Sequence, residues 1–345
     1  MFKRKTCIPV IMMLLLIMAL LAGCGGQGGE SKNEGKSDNA KNSPMQAVHA
    51  SGPIGSGWYP ISVLITDIWM ENMDGLNVSV IEGAGVSNLK AVDGGVDAVT
   101  GLTFSSDFAD ALAGRGAFEG NKLENVMALG TIYPTMWNIA VLESSPIKSV
   151  EDIVGKHLFP GEPGFSSEQA TKRILEAYGI TYDDIKAAGG KISFGGYSDG
   201  ANMLKDGIVD VCVAGGAPNV VAFSEVDATK PIRLLPLPED ILKKIDEKGY
   251  GYNVSMKIPA GTYKNQKEDV PCLTTMGLII VNKNLDDDYV YQLTKSLWEN
   301  VDRIKKEQPA RGKWMDAESA YKNIPDPSTI HPGALRYYKE IGVAK

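Results

Sequence analysis

The sequence predicts an α/β protein of two domains with mainly parallel sheets and a ligand cleft between them. Three observations predict it. Short apolar runs alternate with amphipathic ones along the chain, beginning with Ala47–Ala50 and then Ile61–Met70, where Ile61, Leu64, Ile65, Ile68 and Trp69 fall at helical spacing. Glycine-rich turns repeatedly follow the apolar runs. One pattern also occurs twice: Leu89-Lys90, Asp93-Gly94 and Val96-Asp97 before a strand ending at Gly101, and Leu204-Lys205, Asp206-Gly207 and Val209-Asp210 before a strand ending at Gly215. Two domains of one build produce such an echo, and so does chance at common helix–strand joints. A chain of 345 residues is long enough for two domains.

The stretch Gly52 to Pro60, Gly-Pro-Ile-Gly-Ser-Gly-Trp-Tyr-Pro, reads as glycine turn into helix after a strand, with Pro60 suited to the first helical position. Asn77–Ile81 is the next strand. Ser87 is a good N-cap for a helix through Val92, closed by Gly94 and Gly95. Asp97–Thr100 and Val126–Ile132 follow as strands. Tyr133-Pro134-Thr135 interrupts the pattern, and the crossover between domains is expected there. Trp137–Leu142 and Lys156–Phe159 are extended. Ser166 and Gln169 have the spacing of a capping box ahead of a helix to Tyr178. Val209–Ala214, Pro231–Leu235 and Leu273–Val281 are strands, the last leading back to the first domain. Asp286–Lys306 reads as one long helix with an acidic start and a basic end. The expected division is 45–136 and 275–345 for domain I and 137–274 for domain II.

Ahead of the folded body, Lys3, Arg4 and Lys5 precede an apolar run from Ile8 to Leu21 and the sequence Leu21-Ala22-Gly23-Cys24. A charged start, a short apolar core and small residues at its end describe an export signal over 1–23, too short to span a membrane comfortably. Residues 24–44, nearly all Gly, Ser, Asn, Lys, Glu and Gln, cannot bury enough surface to fold and read as a flexible tether.

The formal charge is −7, more negative once the basic signal departs, and no basic runs occur, which argues against a nucleic-acid partner. His49, His157 and His331 are far apart and form no metal-ligand motif, so neither metal nor cofactor is expected. Cys212 and Cys272 remain in the body, either as one disulfide or as two buried thiols.

In parallel α/β sheets, ligands sit beyond the carboxyl ends of the strands. The turns that follow strands are Gly55 to Tyr59, Gly83 to Ser87, Thr100-Gly101, Gly164 to Ser167 and Gly215 to Ala217. Helix starts and hydroxyls there suit a small anionic or zwitterionic ligand. This makes Ser56, Gly57, Trp58, Tyr59, Gly83, Ser87, Thr100, Ser166, Ser167, Gly216 and Ala217 candidate ligand contacts, with Trp58, Tyr59, Tyr133 and Phe165 as apolar cover. No Walker A sequence occurs. Gly196-Tyr-Ser198-Asp-Gly200 matches the nucleophile elbow of α/β-hydrolases, with His331 downstream, but Ser198 is accounted for as a helix cap, and no catalysis is expected.

Leu-Ala-Gly-Cys24 resembles the lipobox of bacterial lipoproteins, which implies lipid on Cys24 and an anchor to the outer face of the cell membrane. The body resembles the TAXI-type substrate-binding receptors of TRAP transporters from about Ala47 to Gly342. Gly55-Ser-Gly-Trp-Tyr-Pro60 stands where the family has Gly-Gly-Thr-Tyr-Tyr-Pro, and Ala214-Gly-Gly-Ala-Pro218 stands at its Ala-Gly-Ala-Pro. Pro231-Ile-Arg-Leu-Leu-Pro-Leu237, Ile258-Pro-Ala-Gly-Thr-Tyr263, Asp269-Val-Pro271 and His331-Pro-Gly-Ala-Leu-Arg-Tyr-Tyr338 follow in family order.

The resemblance implies a two-domain, type II-like periplasmic-binding-protein fold that closes on a small organic carboxylate: a glutamate-like amino acid, a dicarboxylate or a smaller acid. It implies delivery by a monomeric receptor to a TRAP permease driven by an ion gradient. The alternatives are a tethered receptor that signals to a membrane sensor and, behind it, a serine hydrolase using Ser198. Gly57 stands where the family usually has threonine, Trp58 where it has tyrosine, and Phe165 where a small residue is usual. These departures point towards a smaller or more apolar ligand. No single arginine stands out as a carboxylate clamp, so backbone N–H groups and hydroxyls are expected to do the recognising. Tyr133–Trp137 and Cys272–Gly277 are the expected hinges.

Overall fold

The computed structural model describes residues 43–54, 56–163 and 165–345. The signal segment, Cys24 and nearly all of the tether lie outside the described residues, as do Gly55 and Gly164. The chain runs β1 (Gln46–Ala50), α1 (Trp58–Asn72), β2 (Asn77–Ile81), α2 (Gly85–Gly94), β3 (Thr100–Phe104), α3 (Ser105–Ala113), β4 (Val126–Leu142), β5 (His157–Phe159), α4 (Ser166–Ala177), α5 (Tyr182–Ala187), β6 (Lys191–Ile192), α6 (Tyr197–Lys205), β7 (Val211–Gly216), α7 (Val221–Asp227), β8 (Ile232–Leu234), α8 (Glu239–Asp246), β9 (Lys257–Ile258), β10 (Val270–Pro271), β11 (Thr274–Asn282), α9 (Asp287–Glu299), α10 (Val301–Glu307), α11 (Pro309–Gly312), α12 (Ala317–Lys322) and α13 (Pro332–Glu340).

Most strands join one sheet in the order β2-β1-β3-β11-β4-β7-β5-β6, with β8 beside β4. At its two ends the strands are parallel, as alternating strands and helices require: β1 with β2 and β3, and β5 with β6 and β7. The middle is different. β4 and β11 pair antiparallel with each other and with their outer neighbours, so the sheet is mixed rather than mainly parallel. The expected break at Pro134 is absent. One strand runs through it, and Pro134 faces Met276 beside a register shift in β11, where a residue without an N–H fits the irregular ladder.

The apolar core divides along this sheet. One cluster draws on residues 47–133 and 278–344, including Trp69, Phe118 and Tyr338. Two others draw only on residues 136–273, around Trp137 and Leu158 and around Phe159 and Phe223. These are the cores of the first and second lobes, and β4 and β11 pass from one to the other. Cys212 and Cys272 are free and buried, and burial pushes both thiols up, Cys272 to about 11. The long helix expected over Asp286–Lys306 is two, α9 and α10, parted at Asn300. No helix among the described residues is long and apolar enough to cross a membrane.

Candidate ligand cleft

In the first lobe, the turn after β1 enters α1 with Gly57 at the N-cap. Glycine offers no capping side chain, no acid stands in the first turn, and Pro60 occupies the third helical position. The first N–H groups of α1 are therefore left for solvent or ligand. Ser56 Oγ is buried without a hydrogen-bond partner, 2.6 Å from where a Cβ on Gly52 would lie, so Gly52 is what lets it tuck in. Trp58 opens the helix and packs on Phe104, the last residue of β3, with ring centroids 4.6 Å apart.

One amide ties the end of β1 to the middle of β3. Asn88 Nδ2 donates to Ala50 O at 3.1 Å, Ser51 O at 2.7 Å and Leu102 O at 2.7 Å. A Cβ on Gly83 would lie 1.9 Å from Asn88 Oδ1, so the turn after β2 closes over that amide only as glycine.

A cation from the C-terminal segment meets this edge. Arg311, on α11, places its Nε 2.5 Å from where a Cβ on Gly57 would stand. Its guanidinium carbon lies 5.8 Å from the centroid of the Tyr133 ring. Burial pushes the Tyr133 phenol up to about 12, with Arg311's charge and hydrogen bond acting the other way. Three residues on, Trp314 packs against cores of both lobes, and Ala217 from the second lobe packs against the first.

Side chains bridge the lobes directly. Ser166 Oγ, in the first turn of α4, donates to Asp107 Oδ2 of α3 at 3.2 Å. Burial pushes Asp107 up to about 7; the Ser166 bond opposes this, and neighbouring Asp110 adds to it. Asp110 pairs with Arg173 of α4, whose Nη1 donates to Tyr252 Oη at 3.2 Å and whose guanidinium stacks 4.1 Å from the Tyr250 ring. Arg115 flanks Asp110 at 3.3 Å and donates to Lys248 O and Gly249 O. Ser105 Oγ donates to Gly251 O at 2.7 Å. Phe104 also reaches Trp137, at 6.3 Å between centroids, so Trp58, Phe104 and Trp137 form an aromatic row from one lobe to the next. The turn after β7 is held from behind: Asn138 Nδ2 donates to Met136 O and Pro218 O, and its Oδ1 accepts from Tyr263.

The model of the NMT1-like family matches residues 49–342, nearly all of the described chain. The chain belongs to the NMT1-like family. Among solved structures, it is similar to XAC2383 from Xanthomonas citri bound to ATP, at 12% identity and TM-score 0.50, covering 86% of this chain and 100% of that one. It is also similar to the alkanesulfonate-binding protein SsuA from Xanthomonas axonopodis pv. citri bound to MOPS, at 15% identity and TM-score 0.47, covering 86% and 84%. The two-lobed, mixed α/β fold is one that this chain shares with XAC2383.

In this NMT1-like chain, the predicted contacts divide. Gly57, Trp58 and Tyr133 gather around Arg311 and Phe104, while Ser166 and Ala217 face the first lobe from the second. Thr100 does not join them. It begins β3 rather than ending it, so it sits at the amino end of the strand, and its hydroxyl bonds buried His49 at 2.9 Å. Ser87 is the third residue of α2, not its cap; its Oγ bonds back to Ala84. Ser166 likewise is not the cap of α4, a place taken by Phe165, and this frees its hydroxyl for Asp107. Phe165 itself is 56% exposed. Ser167 is buried against Gly161, Tyr59 is half-buried in the first turn of α1, and Gly216 closes on Asn219 O.

Ser198 is exposed in the first turn of α6, capped by Gly196. His331 is fully buried as the N-cap of α13, accepting from Gly333 N–H, and belongs to the first lobe. The sequence reading missed Arg311, Phe104, Asp107 and the Arg173–Asp110 pair. Arg311 had one signal: a glycine where the resembling receptors carry a side chain.

Proposed function

We propose that this protein is an extracytoplasmic receptor that binds a small organic carboxylate between its lobes and delivers it to a TRAP-type permease driven by an ion gradient. The observation that carries the reading is the bond from Ser166 to Asp107: the first turns of two helices that follow strands, one in each lobe, come within hydrogen-bonding distance of each other. A ligand held there touches both lobes, and its differential affinity favours the closed arrangement. Supporting it are the family membership, the two-lobed fold and the ordered strings shared with TAXI-type receptors.

Closure turns on the two crossing segments, Tyr133–Trp137 and Cys272–Gly277. They pair with each other, Thr274 with Met136 and Thr275 with Thr135, beside the register shift in β11. Lipid on Cys24 holds the receptor at the outer face of the membrane. The test is uptake into vesicles that carry the permease: the full chain should be required for accumulation driven by a sodium or proton gradient without ATP. Binding without any such uptake would favour a sensing receptor instead.

A further inference from the structure

The guanidinium of Arg311 stands beside a helix pole of its own sign. Its Nε and Nη2 lie 2.5 and 2.7 Å from the point that a Cβ on Gly57 would occupy, beside the amino end of the 15-residue helix α1. That end carries the positive pole of the helix, and neither an acidic residue nor a capping side chain offsets it. Among the described residues no carboxylate pairs with Arg311; Gln308 Oε1 accepts from it at 3.4 Å. Two positive groups held together without a counter-charge repel, and a ligand carboxylate relieves both at once. Tyr133 adds a hydroxyl: it is 4% exposed, touches the guanidinium and keeps its proton at neutral pH.

The other charged groups near the lobe contact are committed. Arg173 and Arg115 both serve Asp110, and Asp107, the carboxyl that bridges to Ser166, is an acid. The row of Trp58, Phe104 and Trp137 offers aromatic carbon along the lobe contact. A second ligand carboxylate would thus meet aromatic carbon or another carboxyl, with no uncommitted guanidinium at the lobe contact among the described residues to receive it. We infer that Arg311 anchors the ligand's carboxylate, with Tyr133 and the free N–H groups of α1 beside it, and that the ligand carries one carboxylate rather than two. This rests on the receptor reading above and narrows its substrate class. It also replaces the expectation that no arginine clamps the acid.

Calorimetric titration of the full chain with monocarboxylates (valerate, isovalerate and phenylacetate) against glutarate tests it, since valerate and glutarate differ by one terminal carboxylate. A monocarboxylate should bind at least about 10-fold tighter than glutarate. Arg311→Met should weaken it about 10- to 100-fold, the scale of a lost charge-assisted bond, and Arg311→Lys should recover part of the loss. Should Arg311→Met not fold, Tyr133→Phe serves, with about 10-fold weaker binding expected. Tighter binding of glutarate, or full affinity in Arg311→Met, overturns the inference and leaves the receptor reading standing. Failure of all four acids overturns it too; binding of another solute class would then keep a receptor but not a carboxylate receptor, and binding of none would end the receptor reading.

Discussion

Asp110 of α3 and Arg173 of α4 form a buried ion pair that ties the first lobe to the second. Both side chains are only 9% exposed, and each is held by further partners: Arg115 on the acid, Tyr250 and Tyr252 on the base. Removing one partner from such a pair strands the other charge. Arg173→Met is expected to cost about 3–5 kcal/mol, read as a lower urea midpoint at unchanged slope. Arg173→Lys should restore little, because an ammonium can neither stack on Tyr250 as a plane nor serve Asp110 and Tyr252 as one fork.

Two buried groups oppose each other in their response to pH. Burial lowers His49 from 6.5 to about 3, so its contribution is lost as pH falls through that window, where the unfolded chain takes up the proton first. Burial raises Asp107 from 3.8 to about 7, so its contribution is lost as pH rises from about 4 to about 7, where the folded chain holds the extra proton. Between about pH 4 and 6.5 the slopes cancel, each up to about 1.4 kcal/mol per pH unit. Relative to wild type, Asp107→Asn should gain stability with rising pH across that range, and His49→Gln should lose it. Urea midpoints at several pH values measure this, and parallel profiles for all three proteins would refute it.

Gly57→Ala separates binding from folding. Gly57 has φ −66° and ψ −20°, which alanine adopts without strain, so stability should hold or rise by up to about 1 kcal/mol. The new methyl would displace the Arg311 guanidinium, which is the flexible end of a side chain and can move. Ligand affinity should fall about tenfold or more. Calorimetry and thermal unfolding of the same variant check both halves.

Asn88→Ala removes the amide that joins the end of β1 to the middle of β3 and lies under the turn at Gly83. Leaving buried carbonyls without a donor should cost about 1–3 kcal/mol, measured by denaturant unfolding.

The alternation of strands and helices was legible because period and composition are local properties. The antiparallel middle of the sheet was not, because β4 and β11 are joined only in space, across more than a hundred residues. Thr100 was misplaced by a register shift: Asp97–Thr100 looks as extended as Thr100–Phe104, and only pairing with Val281 and His49 decides which is the strand. The turn at Gly57 was legible as a glycine turn between strand and helix, and its missing side chain read as a lost hydroxyl. In the fold that absence is the space Arg311 fills. Arg311 lies on a four-residue helix near the C-terminus, in no motif, and nothing local marks it.

The central claim is that the cleft holds a small solute. Thermal unfolding of the full chain across a panel of amino acids, keto acids, monocarboxylates and dicarboxylates tests it most directly. A ligand at ~100 times its dissociation constant should add about 2.7 kcal/mol of stability, and the account predicts one class of hit, the monocarboxylates. A flat panel, still flat after unfolding, dialysis and refolding have removed any carried solute, would contradict it.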